Sequence, residues 1–196
     1  MARIYSVVKA RKDQGTCNVC RKPIDAGTAY NWSRANRFVP KVKWHATCAQ
    51  PRPSVLEGNP KRQAIMAAQE TAHDALDALG DPEEVTADDI MQVLTDCAEA
   101  IREVAGEYEE AADNIESGFG GNPTSVSDEL REKAETLNSA ADEVEGVSID
   151  ERPEPDEPDP DADPDDLDTD GDDPLTDWLA DQIDTARSAI DDIEVP

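Results

Sequence analysis

Four residues in the first quarter of the chain have the types and spacing of a soft-metal site. Cys17-x2-Cys20 is followed after 24 residues by His45-x2-Cys48. Each close pair can present two donors to one ion at tetrahedral angles, and together they predict one bound zinc ion. The alternative is four unrelated buried residues. The protein supplies all four ligands, so no coordination position is left for water or substrate, and a structural ion is expected rather than a hydrolase or deaminase centre. The cysteine pair also lacks the His-x-Glu element of the zinc deaminases. A redox reading of Cys17 and Cys20 would need a surrounding βαβ pattern, which the sequence does not show. The fourth cysteine, Cys97, stands apart in a helical pattern and reads as a small core residue. Metal binding in a reducing compartment therefore fits the cysteine usage better than two disulfides.

Charge is segregated along the chain. Residues 1–62 hold 13 Lys/Arg against 3 Asp/Glu, a net +10, whereas residues 63–196 hold 5 against 43, a net −38. Arg21, Lys22 and Lys43 lie beside the ligands, where they offset the net negative charge of three thiolates around a divalent ion. The remaining excess exceeds that local need. Arg11, Lys12, Arg34, Arg37, Lys41 and Lys43 are the candidate nucleic-acid contacts, interleaved with Tyr5, Tyr30, Trp32, Phe38 and Trp44. A basic face with exposed rings suits phosphate tracking and base stacking, with DNA or RNA as partner. In the competing reading, Trp32, Phe38 and Trp44 form a small core that the charges merely solvate.

Cys17-x2-Cys20, Pro23-Ile24, Gly27, Tyr30 and Trp44-His45-x2-Cys48 together resemble the zinc finger of the poly(ADP-ribose) polymerase type. The resemblance covers about residues 15–50. It implies a small α+β, treble-clef-like module, a structural zinc held by Cys17, Cys20, His45 and Cys48, and the DNA-break binding of that family.

The elements that must position these residues are short at first. Strand-like runs are expected at 3–9, 28–33 and 38–44, then one helical turn from His45 that Pro51 and Pro53 stop. The module spans 1–58. Asn59-Pro60 is a helix start, and Ile65, Ala68, Ala72, Leu76 and Leu79 give a linking helix over 59–80. Ile90, Leu94, Cys97, Ile101, Val104, Tyr108, Ala111 and Ile115 are spaced alternately by four and three, after a capping-box start at Thr86 and Asp89. Gly118 to Pro123 breaks the pattern. Leu130, Ala134, Leu137, Ala141 and Val144 resume it, which predicts an antiparallel helical hairpin over 86–147.

Residues 148–173 read as an acidic, disordered linker. Asp150 to Asp173 carries 14 acidic residues and 5 prolines with little to bury. Within it, Asp166, Asp168, Asp170, Asp172 and Asp177 match calcium-loop positions around Gly171, a match that an Asp-rich stretch produces readily by accident. Residues 174–196 form an amphipathic helix carrying Trp178, either docked or waiting for a protein partner. No targeting signal or membrane span is seen, which suggests a cytoplasmic or otherwise intracellular protein. The expected fold class is thus a small zinc module followed by a mainly α region. The expected function is non-enzymatic: nucleic-acid binding with the acidic region modulating access, or alternatively a protein-interaction adaptor using the hairpin and the Trp178 helix. Acidity as an adaptation to high salt ranks last, since residues 1–62 are basic. The composition, rich in Ala, Asp, Glu and Arg, suggests a GC-rich microbial or phage genome.

Overall fold

The computed structural model describes residues 3–153 and 174–196. Contacts divide the chain into two units, essentially residues 1–67 and 68–194, so the division falls inside a helix rather than at residue 58.

The N-terminal unit holds a three-stranded antiparallel sheet in the order β1 (Ile4–Val7), β2 (Tyr30–Ser33), β3 (Val42–His45). The register sets Tyr5 opposite Trp32, Trp32 opposite Lys43, and Tyr30 opposite His45. Side chains alternate along a strand, so Tyr30 and Trp32 share one face of β2. Trp44 is 2% exposed and clusters with Ala10, Cys17, Ile24 and Tyr30, while Trp32 packs only at the margin of that cluster. Phe38 is 81% exposed, which corrects the reading that placed it in the core. The backbone N–H of Phe38 donates to Asn36 Oδ1 (2.8 Å), a side-chain turn within the β2–β3 connection.

Pro53 does not stop a helix as expected but starts one, α1 (Pro53–Leu56). At the first helical position the missing N–H has no partner to lose. Gly58 comes next, and a Cβ there would lie 2.5 Å from Ala35 Cβ, so only glycine permits this approach to the β2–β3 connection. Asn59 Oδ1 then accepts from Lys61 N–H (3.0 Å) and opens α2 (Pro60–Asp77).

The second unit is helical. α3 (Ala87–Gly118) starts in the expected capping box: Asp89 N–H donates to Thr86 Oγ1 and Thr86 N–H to Asp89 Oδ2 (2.8 Å). α4 (Ser125–Glu145) has a second one, with Thr124 and Ser127 in the paired roles. Gly120 and Gly121, at φ +71° and +80°, make the turn between the helices, in a backbone region that other residues disfavour. The buried seam of α3 runs through Ile90, Leu94, Cys97, Ile101, Val104 and Tyr108, then moves to Ala112 instead of Ala111. A straight helix at 3.6 residues per turn drifts off a seven-residue repeat in this way. On α4, Ala134, Leu137, Ala141 and Val144 are buried, whereas Leu130 is only partly so and Ser127 is buried.

α5 (Pro174–Asp191) packs against α3 and α4. Trp178 Nε1–H donates to the Asp150 carbonyl (3.1 Å), and Asp150 N–H donates to Gln182 Oε1 (3.0 Å). Gln69 Nε2 of α2 donates to the Ile190 carbonyl (2.9 Å) near the other end of α5. Of the two states the sequence left open for this helix, the structure shows the docked one.

All five Lys and Arg side chains after residue 62 make contacts between separate segments of this unit. Arg102 of α3 reaches Asp142 and Glu145 of α4, while Arg131 of α4 reaches Asp113 and Glu116 of α3, a reciprocal pairing across the antiparallel hairpin. Lys133 Nζ lies 5.9 Å from the Tyr108 ring centroid. Arg152 donates to the Glu83 carbonyl, and Arg187 of α5 pairs with Asp77 of α2. Among the described residues no helix is long and apolar enough to cross a membrane.

Candidate metal centre

The sheet and a preceding hairpin bring the four predicted ligands together. Thr16 bridges Pro23, Cys17 N–H donates to the Lys22 carbonyl (2.8 Å), and Arg21 N–H returns to the Cys17 carbonyl (3.0 Å). Arg21 sits at φ +61°, the left-handed turn that closes the knuckle after the second cysteine. The other pair comes from the end of β3, where Cys48 N–H donates to the His45 carbonyl (3.0 Å) in the next turn.

The ligand atoms of Cys17, Cys20, His45 and Cys48 all lie within 4.8 Å of one another. Cys17 Sγ is 3.9 Å from Cys48 Sγ, and His45 Nδ1 is 3.3 Å from Cys20 Sγ and 3.9 Å from Cys48 Sγ. A tetrahedron with metal–sulfur bonds of about 2.3 Å and a metal–nitrogen bond of about 2.0 Å has edges of about 3.8 Å and about 3.5 Å. The donor set therefore fits one four-coordinate ion. The ring of His45 is already aimed: Nε2 lies 3.1 Å from the Pro23 carbonyl and donates to it, which leaves Nδ1 as the ligating nitrogen.

Cys17, His45 and Cys48 differ in how their proton affinities are shifted. Burial acts to raise the Cys17 thiol, but backbone N–H groups of Cys20, His45 and Val19 outweigh it and bring it down to about 6. Burial, reinforced by contact with the Cys20 and Cys17 sulfurs, pushes Cys48 up to about 11. Contact with the Cys17 sulfur raises His45. An arriving cation thus meets a ready thiolate at Cys17 and must displace the proton of Cys48.

Two contacts that support the site were not legible in the sequence. Asn18 exchanges hydrogen bonds with the backbone of Lys43, and Lys43 Nζ donates to the Gln14 carbonyl (2.8 Å). Lys43, one of the six candidate nucleic-acid contacts, is thus engaged inside the unit. The other five candidates are exposed. Arg34, Arg37 and Lys41 share the β2–β3 connection, and Arg11 and Lys12 lie in the segment before the knuckle. None of the five pairs with a carboxylate among the described residues.

Two of the five, Arg37 and Lys41, lie over aromatic rings. Tyr5 and Trp32 stack across β1 and β2 with centroids 4.3 Å apart, Lys41 Nζ lies 3.8 Å from the Trp32 centroid, and the Arg3 guanidinium lies 5.3 Å from that of Tyr5. Arg37 covers Phe38 at 4.6 Å. Cys97 is buried and its thiol raised to about 11 by that burial, as suits a core residue. Asp166, Asp168, Asp170 and Asp172 of the calcium pattern lie outside the described residues, and Asp177 is exposed in the first turn of α5.

No protein-family model, curated protein or solved structure matches this chain. The resemblance to the poly(ADP-ribose) polymerase-type finger therefore rests on the residues around the ligands alone.

Proposed function

We propose that the chain is a non-enzymatic zinc-finger protein that binds DNA or RNA through its basic N-terminal unit, with the acidic region modulating access. Zinc is the ion we assign to the site, because three sulfurs and one imidazole nitrogen in a closed tetrahedral set suit it above the hard divalent ions. The observation that carries the reading is the contrast in how cations are used. Beyond residue 62 every Lys and Arg makes a contact to a separate segment of its own unit, whereas Arg11, Lys12, Arg34, Arg37 and Lys41 have no carboxylate partner among the described residues. Exposed cations without an acid partner among the described residues, two of them (Arg37 and Lys41) beside aromatic rings, are suited to a polyanion from outside.

The alternative, an adaptor that captures a protein with the Trp178 helix, has less support, since the Trp178 face is engaged inside the helical unit. The test is binding of the zinc-loaded full chain to DNA and RNA across a salt series, with Arg34→Ala/Arg37→Ala as comparison. On the falling, higher-salt limb, loss of two phosphate contacts should make the slope of log K against log salt shallower by about 1 to 2. If neither nucleic acid binds at any salt concentration in the series, the reading is wrong.

A further inference from the structure

We propose that Asn18 is a positioning residue of the metal centre, holding the Cys17–Cys20 knuckle in register with the strand that delivers His45. The proposal rests on the assignment of the site to zinc. Asn18 stands between the first two ligands, and Lys43 stands two residues before the third. The backbone N–H of Asn18 donates to the Lys43 carbonyl (2.8 Å), and Lys43 N–H donates to Asn18 Oδ1 (2.9 Å).

β3 is an edge strand, hydrogen-bonded to β2 on one side only. Such an edge leaves alternate N–H and C=O groups unpaired. Asn18 satisfies both groups of Lys43 at once, with its backbone donating and its side-chain amide oxygen accepting. One residue thereby does the work of a fourth strand. Other ties between the knuckle hairpin and β3 include the single bonds of His45 Nε2–H to the Pro23 carbonyl and Lys43 Nζ to the Gln14 carbonyl. Each leaves a rotation that the two-bond ring removes. Asn18 thus fixes the distance between the two ligand pairs, which the sequence separates by 24 residues.

Chemistry limits what can replace it. Alanine keeps the backbone half of the ring and deletes the acceptor, whereas aspartate keeps an acceptor oxygen at the same reach. Groups that orient ligands without touching the metal change affinity by about 10- to 100-fold when lost, and half of this ring survives in the alanine variant, so a weakening of about 10-fold is expected.

The experiment measures the zinc dissociation constant of the full chain by competition against a chromophoric chelator, for the parent, Asn18→Ala and Asn18→Asp. Helical content and the thermal transition of the helical unit are recorded on the same samples. The expected result is weaker zinc binding for Asn18→Ala, a value for Asn18→Asp nearer the parent, and an unchanged helical transition in all three. Parent-like affinity for Asn18→Ala overturns the proposal, as does an Asn18→Asp variant as weak as Asn18→Ala. A parent that fails to bind zinc overturns the zinc assignment itself, and the proposal with it.

Discussion

Replacing Arg131 with methionine should lower the thermal midpoint of the helical unit by about 3 to 6 °C, an effect that shrinks as salt is added. Arg131 Nη2 lies 2.8 Å from Asp113 Oδ1 and 3.1 Å from Glu116 Oε2. Asp113 is 71% exposed, so solvent screens that pair and it accounts for the smaller share. Glu116 is 17% exposed against 40% for the arginine, and this better shielded pair accounts for the larger share. A two-toothed pair of this kind lies at the upper end of what surface ion pairs contribute, and in a unit of this size that upper end corresponds to the shift of about 3 to 6 °C. Methionine retains an apolar stem, so the charge is the main loss. Salt acts in one direction on both consequences: it screens the lost attraction, and it screens the repulsion that Asp113 and Glu116 exert on neighbouring acids once the cation is gone. Thermal melts monitored by circular dichroism at 222 nm, with zinc held constant and sodium chloride varied from about 0.01 M to about 1 M, give the test. A gap below about 1 °C at low salt, or one that widens with salt, would refute the reasoning.

The same pair carries a pH signature. Hydrogen bonding from Arg131, then from Ser127, holds Glu116 below its ordinary value of 4.5. A carboxylate whose folded pKa is depressed contributes stability above its unfolded pKa and loses it as pH falls through the folded value. The difference between the parent and Glu116→Gln should therefore be full at neutral pH and vanish in acid. A gap that persists after Glu116 is protonated would show that the variant acts through packing.

Removal of the metal should unfold the N-terminal unit and spare the helices. In a Trp178→Phe background, chelation should change the fluorescence of Trp32 and Trp44 while the helical signal holds; loss of both signals together would count against two separate units. Because Cys48 is raised to about 11 and His45 is also raised, binding at neutral pH must release protons, so zinc affinity should fall as pH drops from about 8 to about 6. A flat profile over that range would be incompatible with the assigned ligands.

Legibility varied with the origin of each feature. The capping box at Thr86 and the start of α2 at Asn59-Pro60 were readable because the determinants are local in sequence. The ligand quartet was readable because metal chemistry restricts both residue type and spacing. The aromatic residues were not, since Trp44 and Trp32 have the same composition signal and only the strand register assigns one to the core and the other to a stack with Tyr5. Asn18 was invisible for the same reason: its value depends on Lys43, far away in sequence and brought close by folding. Pro53 misled because proline both ends and begins helices, and the residues on its C-terminal side decide between the two.

Segregated charge has a consequence for how such a protein would find a polyanion. At about 0.01 M salt the screening length is about 30 Å, and a phosphate backbone senses much of the chain's net −28. At about 0.1 M the length falls to about 10 Å, and only charges close to the contact are felt. On the basic unit those include Arg34, Arg37 and Lys41, all exposed on one connection. Further salt weakens these contacts through ordinary counterion competition. The affinity of the full chain for nucleic acid should therefore rise, pass through a maximum and then fall as salt increases, where a uniformly basic binder would only fall. Neutralising cations of the helical unit would deepen the low-salt loss, and neutralising Arg34 and Arg37 would lower the maximum itself. A monotonic decline from the lowest salt would mean that the acidic residues exert no influence on the basic unit, and would remove the modulating role assigned to them.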